Sequence, residues 1–463
     1  MVFNSLVFCI FLPLVFVAYW LCRKQKNRNR ILLASSYVFY GWWDWRFLGL
    51  ILISSLVDYQ CGLKIGSSAA DSQKKRWLAV SLCVNLGLLC TFKYLNFFAE
   101  STATMLQMLG YRAGWSTLHV VLPVGISFYT FQTLSYTIDV YRGKCDVCSK
   151  PLDFFLFVAF FPQLVAGPIE KAHILLPQLQ KARRLEIDSA RHGLRCILYG
   201  FLLKSVVADN LTAFVDGVYN QPESASGFEL LMATYGFAFQ IYGDFAGYTW
   251  IAIGCAALFG IRLTQNFRSP YLSESPREFW HRWHISLSAW FSEYVYIGLF
   301  GGARVSGFRH VLNILLTFLI SGLWHGANWT FVIWGGLNGI LYFVAAPFRG
   351  SWWSKQLNAM VCFHMICATW ILFRADSVAT AMTIFERIAY WSPTQMAAGT
   401  VPSWYPVAII PLCVVGMEII GGDSPGVLQQ YTQTTRWLIY SLALFALFFL
   451  GVFDRTPYIY FQF

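Results

Sequence analysis

Stretches of about 20 apolar residues, the length that carries a helix across a bilayer, recur from one end of this chain to the other. No other feature narrows the fold so far. In hydrocarbon every backbone N–H and C=O must be satisfied within the protein, so such stretches fold as helices. The composition agrees: of 463 residues, 57% are hydrophobic and 12% charged, with a mean hydropathy of +0.51. The pattern predicts an all-α polytopic membrane protein of about 11–13 membrane helices, in one domain over residues 1–463. Spans are read near 5–22, 31–43, 47–66, 77–98, 121–140, 152–168, 193–215, 228–260, 285–300, 309–345, 355–373, 404–421 and 435–452. The first has no small-residue cleavage site behind it and reads as a retained span, not a signal peptide.

Several spans are not simple crossings. Leu122-Pro-Val-Gly-Ile-Ser-Phe128 places a proline and a glycine near the start of an apolar run. Phe160-Phe-Pro-Gln-Leu-Val-Ala-Gly-Pro168 is short and broken by two prolines. Such segments are kinked or re-entrant, because non-helical backbone at membrane depth survives only inside protein or along a cavity. The runs at 228–260 and 309–345 exceed one crossing, so each must be tilted, broken or a hairpin.

The net charge is +11. On a soluble protein this would suggest nucleic acid. Here the charge sits in short loops, at Arg23 to Arg30, Lys74 to Arg76, Arg142 to Lys150 and Lys171 to Arg195, where it sets topology, and no nucleic-acid partner is expected. The segments Asp44 to Arg46 and Glu100 to His119 are poor in Lys and Arg. The alternation predicts an N-terminus outside and basic loops in the cytoplasm. The stretch Lys171 to Ala190 reads either as an amphipathic helix on anionic lipid or as a solvated loop. Most of the 12 cysteines lie within spans, where they act as small apolar residues. Cys145 and Cys148 form a CxxC, with no second pair to complete a zinc site.

Against this background His325 stands out. It lies in Ser321-Gly-Leu-Trp-His-Gly-Ala-Asn-Trp329, inside an apolar run. An ionisable residue at membrane depth is costly and marks a functional site. Gly322 and Gly326 flank it, and glycine there permits a helix break or a close backbone approach. Upstream lies Pro276-Arg-Glu-Phe-Trp-His-Arg-Trp-His-Ile-Ser-Leu-Ser-Ala-Trp290. His281 and His284 are three apart and on a continuous helix would share a face, with Glu278 completing E-x-x-H-x-x-H. Three chemistries suit these residues. A metal site would need more buried carboxylates than the spans supply. Acyl transfer needs a histidine that stays neutral, as a desolvated ring does, to take a proton from an alcohol. A proton relay in a transporter would pair such a histidine with Asp244. Composition alone does not choose among them.

The segment Phe279 to Trp290, followed by Ser321 to Gly326, resembles the membrane-bound O-acyltransferases, in particular the bacterial branch that acts on cell-surface polymers. Further matching pieces run in order along nearly the whole chain. They are Met1-Val-Phe-Asn-Ser5, Phe39-Tyr-Gly-Trp-Trp43, Phe92-Lys-Tyr94, Leu122 to Phe128, Phe161 to Pro168, Gln240-Ile-Tyr-Gly-Asp-Phe245, Phe373-Arg-Ala375 and Tyr460-Phe-Gln-Phe463. Each is weak alone; the ordered set is specific.

The resemblance implies helices packed around a buried tunnel, with His325 catalytic and His284 the second active-site histidine, and no metal. Asp244, Trp324, Asn328, Trp283 and Gln240 are candidates for substrate or tunnel contacts, and Arg277 and Arg282 for the donor entrance. It also implies a reaction: an acetyl group passes from a cytoplasmic thioester, acetyl-coenzyme A, across the bacterial inner membrane. The acceptor would be an extracytoplasmic polysaccharide of the alginate, cellulose or peptidoglycan type. A periplasmic or extracellular SGNH-type acetyltransferase would be the partner, and no cofactor stays bound. The alternative within the family is D-alanyl or other acyl transfer to teichoic acid, lipid or protein; outside it, a proton-coupled transporter. Three positions depart from the family's pattern. His281 stands where Arg or Lys is usual, Thr249-Trp250 where Ser-Asp is usual, and Ser292-Glu293 where Arg-Asp is usual. The last two pairs lie near the expected site and bear on substrate, donor or partner binding.

Overall fold

Helix is the only regular structure that closes all backbone hydrogen bonds within one segment, and it dominates here. The computed structural model describes residues 1–111, 121–305, 307–348, 353–390, 405–421, 430–453 and 458–459, and no strand occurs among them. His119 and the terminal Tyr460 to Phe463 lie outside the described residues. The helices are α1 (Leu6–Leu21), α2 (Gln25–Asp44), α3 (Leu48–Ser67), α4 (Asp71–Leu89), α5 (Leu95–Met108), α6 (Ile126–Tyr141), α7 (Pro151–Ala159), α8 (Ala172–Gln180), α9 (Ile187–Phe201) and α10 (Asp209–Tyr219). There follow α11 (Gly227–Leu258), α12 (Pro276–Arg282), α13 (Ile285–Trp290), α14 (Phe308–His325), α15 (Trp329–Leu341), α16 (Ser354–Arg374), α17 (Val378–Ala389), α18 (Tyr405–Gly421) and α19 (Gln433–Leu450). Wider π turns follow α4 (Cys90–Tyr94), α9 (Leu202–Ala208) and α13 (Phe291–Ile297). Five stretches are long and apolar enough to cross a membrane: Gln25–Ser67, Asp71–Met108, Ile187–Tyr219, Ser354–Arg374 and Gln433–Leu450. The chain divides into two compact units, residues 1–193 with 252–264, and residues 194–251 with 265–463.

In the first unit α3, α4 and α6 pack around a buried carboxylate, Asp58, which accepts from Ser81 Oγ at 2.5 Å and from Asn85 Nδ2 at 2.9 and 3.0 Å. The two broken spans meet. Gly125 has φ +78° at the start of α6, and a Cβ there would lie 3.0 Å from the Leu164 carbonyl, inside the turn that follows α7. Glycine is required both by the left-handed backbone and by the contact. The stretch from Lys171 differs from both readings of it. Its helix, α8, buries Ala172, Leu175, Leu176 and Leu179. Arg183 is buried too, against Asn29 and over the Tyr19 ring, since a planar guanidinium can stack on an aromatic face while it donates to a side-chain oxygen.

In the second unit, α14 and α15 form the hairpin that the long run at 309–345 required. Gly322, on α14, touches α15 so closely that a Cβ would fall 2.2 Å from the Phe331 carbonyl. The reciprocal position, Gly335 on α15, would bring a Cβ 2.4 Å from the Phe318 carbonyl. Small residues let two membrane helices meet backbone to backbone, and this contact fixes the end of α14 where His325 stands. The other long run resolves differently: α11 is one unbroken helix of 32 residues.

Candidate active site

His284 is set by a break in the helix. Ser275 caps α12 by accepting from the Glu278 amide, and Pro276 occupies the first turn. The helix ends at Arg282; Trp283 is extended, and His284 takes φ 45°, ψ 53°. That left-handed conformation costs a non-glycine residue about 1–3 kcal/mol and persists only where its surroundings hold it. Asn266 holds it. Its carbonyl accepts from the Ile285 amide at 2.9 Å. Its Oδ1 accepts from the Ser286 amide at 3.0 Å and from Ser286 Oγ at 2.8 Å, and faces His284 Nδ1 at 3.3 Å. Facing an acceptor, Nδ1 carries the ring proton, which makes Nε2 the basic nitrogen.

The break overturns the shared face expected of His281 and His284. His281 is exposed on α12, its Nδ1 2.8 Å from the Arg277 carbonyl, whereas His284 is fully buried beyond the helix end. Glu278 is engaged by Arg282 at 2.6 Å and by the Glu274 amide at 2.8 Å. The E-x-x-H-x-x-H spacing therefore does not converge on a point.

His325 closes α14, and Gly326 departs from the helix in extended conformation. A Cβ on Gly326 would lie 2.1 Å from the Phe331 ring, so a larger residue there would have to displace that ring. The two histidines belong to one closed aromatic circuit. On one side Trp324 bridges them, 6.2 Å from His284 and 4.9 Å from His325 between ring centroids. On the other, His325 meets Trp334 at 5.1 Å, Trp334 meets Trp370 at 5.8 Å, and Trp370 meets Trp283 at 5.2 Å. Trp283 meets Phe267 at 5.1 Å, Phe267 meets Phe245 at 5.1 Å, and Phe245 returns to His284 at 4.6 Å. The indole N–H groups of Trp334 and Trp370 are buried without a hydrogen-bond partner among the described residues. Buried donors are ordinarily paired, so these two stand out within the circuit.

A chain with an apolar membrane core, two buried histidines raised on broken helices, and a helix hairpin at backbone contact can now be set beside known proteins. The profile of the membrane-bound O-acyltransferase family matches residues 147–350. The chain is 38% identical to the probable alginate O-acetylase AlgI of Azotobacter vinelandii, over 84% of this chain and 78% of that protein. The chain belongs to the membrane-bound O-acyltransferase family. It is an acyltransferase and a multi-pass membrane protein. It is also 33% identical to the peptidoglycan O-acetyltransferase of Helicobacter pylori, over 83% and 79% of the two chains. With the teichoic acid D-alanyltransferase of Bacillus subtilis it shares 30% identity over 54% of this chain and 68% of that one.

Within this acyltransferase the structure brings together His284, His325, Trp283 and Trp324. The other candidates hold other places. Asn328 caps α15, accepting from the Thr330 amide at 3.1 Å and donating to the Asp376 carbonyl at 2.9 Å. Gln240 donates to Thr212 Oγ1 at 3.0 Å. Asp244 pairs with Lys204 at 2.5 Å and accepts from the Ile459 amide at 2.7 Å; it precedes Phe245, the ring against His284. Lys204 also pairs with Asp209 at 2.8 Å. Where the family pattern has an acid, Trp250 is buried edge-on to Tyr199. Arg277 lies over the Tyr342 ring, and Arg282 is paired with Glu278. Ser292 is exposed and Glu293 half-buried. Asn266 and Lys204 were missed by sequence reasoning. Lys204 had a signal, since a lysine inside an apolar span invites the argument made for His325; Asn266 had none.

Proposed function

We propose that this chain passes an acetyl group from a cytoplasmic thioester across the inner membrane, to an acceptor hydroxyl on the far side, for O-acetylation of an extracytoplasmic polysaccharide. The observation that carries the proposal is the closed circuit joining His284 and His325, in which the two imidazoles sit buried in an aromatic shell. The relatives that acetylate alginate and peptidoglycan support the choice of acyl group and acceptor. In the reaction His325 takes the proton of the attacking hydroxyl. The new oxygen–carbon bond forms as the carbon–sulfur bond breaks, and the departing thiolate takes the proton. A general base of this kind contributes about 10²–10⁴ in rate. Acetyl-coenzyme A is the donor, drawn to the cytoplasmic face by Arg277, Arg282 and the neighbouring basic loops, because guanidinium forks suit phosphate oxygens. An SGNH-type acetyltransferase outside the inner membrane passes the group on to the polymer.

The Lys and Arg bias supports an N-terminus outside and loops 23–30, 64–76 and 142–150 in the cytoplasm. The test uses proteoliposomes given acetyl-labelled coenzyme A on one face and a sugar acceptor on the other. Label should reach the acceptor with wild-type protein and not with His325→Ala. Transport of sugar without any donor would instead indicate a carrier. Activity only with an aminoacylated carrier protein would indicate D-alanyl transfer.

A further inference from the structure

Charge buried inside the second unit gathers at one point that the acetyl-transfer chemistry does not use. Lys204, Asp209 and Asp244 are all buried, and the Lys204 ammonium lies 2.8 Å from Asp209 Oδ1 and 2.5 Å from Asp244 Oδ1. The same ammonium lies 4.4 Å from the centre of the Tyr458 ring. The Ile459 amide donates to Asp244 Oδ2 at 2.7 Å. Four separate stretches therefore meet here: the π turn after α9, the start of α10, the middle of α11 and residues 458–459.

Ions are costly to bury, and apolar residues of the same volume often serve stability as well or better. Stability alone does not account for three charges at this point; their place on α11 does. Gly243, Asp244 and Phe245 are consecutive in Gln240-Ile-Tyr-Gly-Asp-Phe245. A Cβ on Gly243 would lie 2.8 Å from the Leu203 carbonyl, and one on Gly247 2.8 Å from the Gly200 carbonyl. The two glycines let α11 meet α9 and its π turn backbone to backbone, which brings Lys204 to Asp244. The next residue, Phe245, turns its ring edge-on to His284, with 4.6 Å between ring centroids. Successive residues on a helix point about 100° apart, so a carboxylate pinned on one side sets the direction of the side chain that follows. His284 is thus bounded twice: Asn266 fixes the backbone beyond it and faces its Nδ1, and Phe245 confines its ring.

We infer that Lys204 is a positioning residue for His284, acting through Asp244 and Phe245. Its ion pair fixes the rotation of α11, and with it the ring against the imidazole. The placement of His284 is independent of the acetyl-transfer reading; only the effect on turnover rests on that reading.

The test replaces the whole ionic group, so that no charge is left buried alone. The triple variant Lys204→Met, Asp209→Leu, Asp244→Leu is made in the full-length protein in lipid bilayers. Solid-state NMR with 15N-labelled histidine reports the His284 imidazole, assigned by its loss in His284→Gln. The His284 resonances should shift in the triple variant. Turnover with acetyl-coenzyme A should fall at least about tenfold while the donor KM stays within about twofold, as loss of position without loss of binding predicts. In an Asn266→Ala background, where the imidazole is already displaced, the same three changes should cost about threefold or less, because the two supports are coupled. Should the triple variant not fold, Asp244→Leu, which leaves Lys204 paired with Asp209, gives the same readings. Unmoved His284 resonances in a folded variant, or losses that multiply in full with Asn266→Ala, overturn the inference. Shifted resonances in a protein whose wild type transfers no acetyl group leave the positioning standing and sink the acetyl-transfer reading instead.

Discussion

Asn266→Ala should disable the enzyme without unfolding it. The substitution removes the single oxygen that accepts from the Ser286 amide and hydroxyl and faces His284 Nδ1. Each lost hydrogen bond is worth about 1 kcal/mol net, so roughly 3 kcal/mol of local restraint disappears. The left-handed backbone at His284 stores about 1–3 kcal/mol that this restraint opposes. With the two of similar size, the turn relaxes toward ordinary dihedrals and the imidazole moves. A displacement near 1 Å at a reacting group costs about 100-fold in rate. Acetyl transfer in proteoliposomes should therefore fall about 100-fold in turnover, with the thermal midpoint in detergent changing little because the rest of the packing is untouched. Asn266→Asp keeps the accepting oxygen and gives up only Nδ2, which makes no hydrogen bond among the described residues. It should recover at least tenfold over alanine, by the same positioning argument. If Asn266→Ala stays within about threefold of wild type at equal protein level, positioning through Asn266 is wrong.

Other outcomes follow from the same geometry. His284→Gln should abolish transfer while His281→Gln leaves most of it, checked by initial rates at saturating donor; equal loss from both would return the two residues to one site. Lys204→Met leaves Asp209 and Asp244 buried without their cation and should cost about 3–5 kcal/mol, seen as a lowered midpoint on heating. Gly322→Ala forces a carbon into the Phe331 carbonyl and should cost at least about 1–3 kcal/mol, whereas Gly416→Ala, with nothing within 4 Å, should be tolerated. Cysteines introduced at Lys74 to Arg76 should resist labelling from outside intact cells.

What could be read from the sequence was whatever depends on neighbours in the chain. His325 between Gly322 and Gly326 announced a break and a close approach, and the hairpin of α14 and α15 supplies both. The polytopic helical class followed from spans whose length the bilayer dictates. His284 shows where this reasoning stopped. Three-residue spacing implies a shared helical face only if the helix continues, and it ends because Asn266, 18 residues earlier, captures the backbone beyond it. Arg183 failed similarly, since a basic loop looks solvated until Asn29 and Tyr19 arrive from α2 and α1. The ion pair of Asp244 was not legible because its cation, Lys204, lies 40 positions away.

On the acetyl-transfer reading proposed above, the rings around the two histidines also bear on what happens when no acceptor is present. A thioester beside a general base is open to water as well as to sugar. A water entering between Trp324, Trp334 and Trp370 would leave its bulk hydrogen bonds for a wall of carbon with few indole donors. That exchange is unfavourable by about 1–3 kcal/mol for each hydrogen bond not replaced. A carbohydrate hydroxyl brings its own polar neighbours and apolar ring face, and can stack as it enters. On this account, resistance to futile hydrolysis is a property of the packing, and it would be lost first in a variant such as Trp334→Ala. Such a protein would retain both histidines and release free acetate.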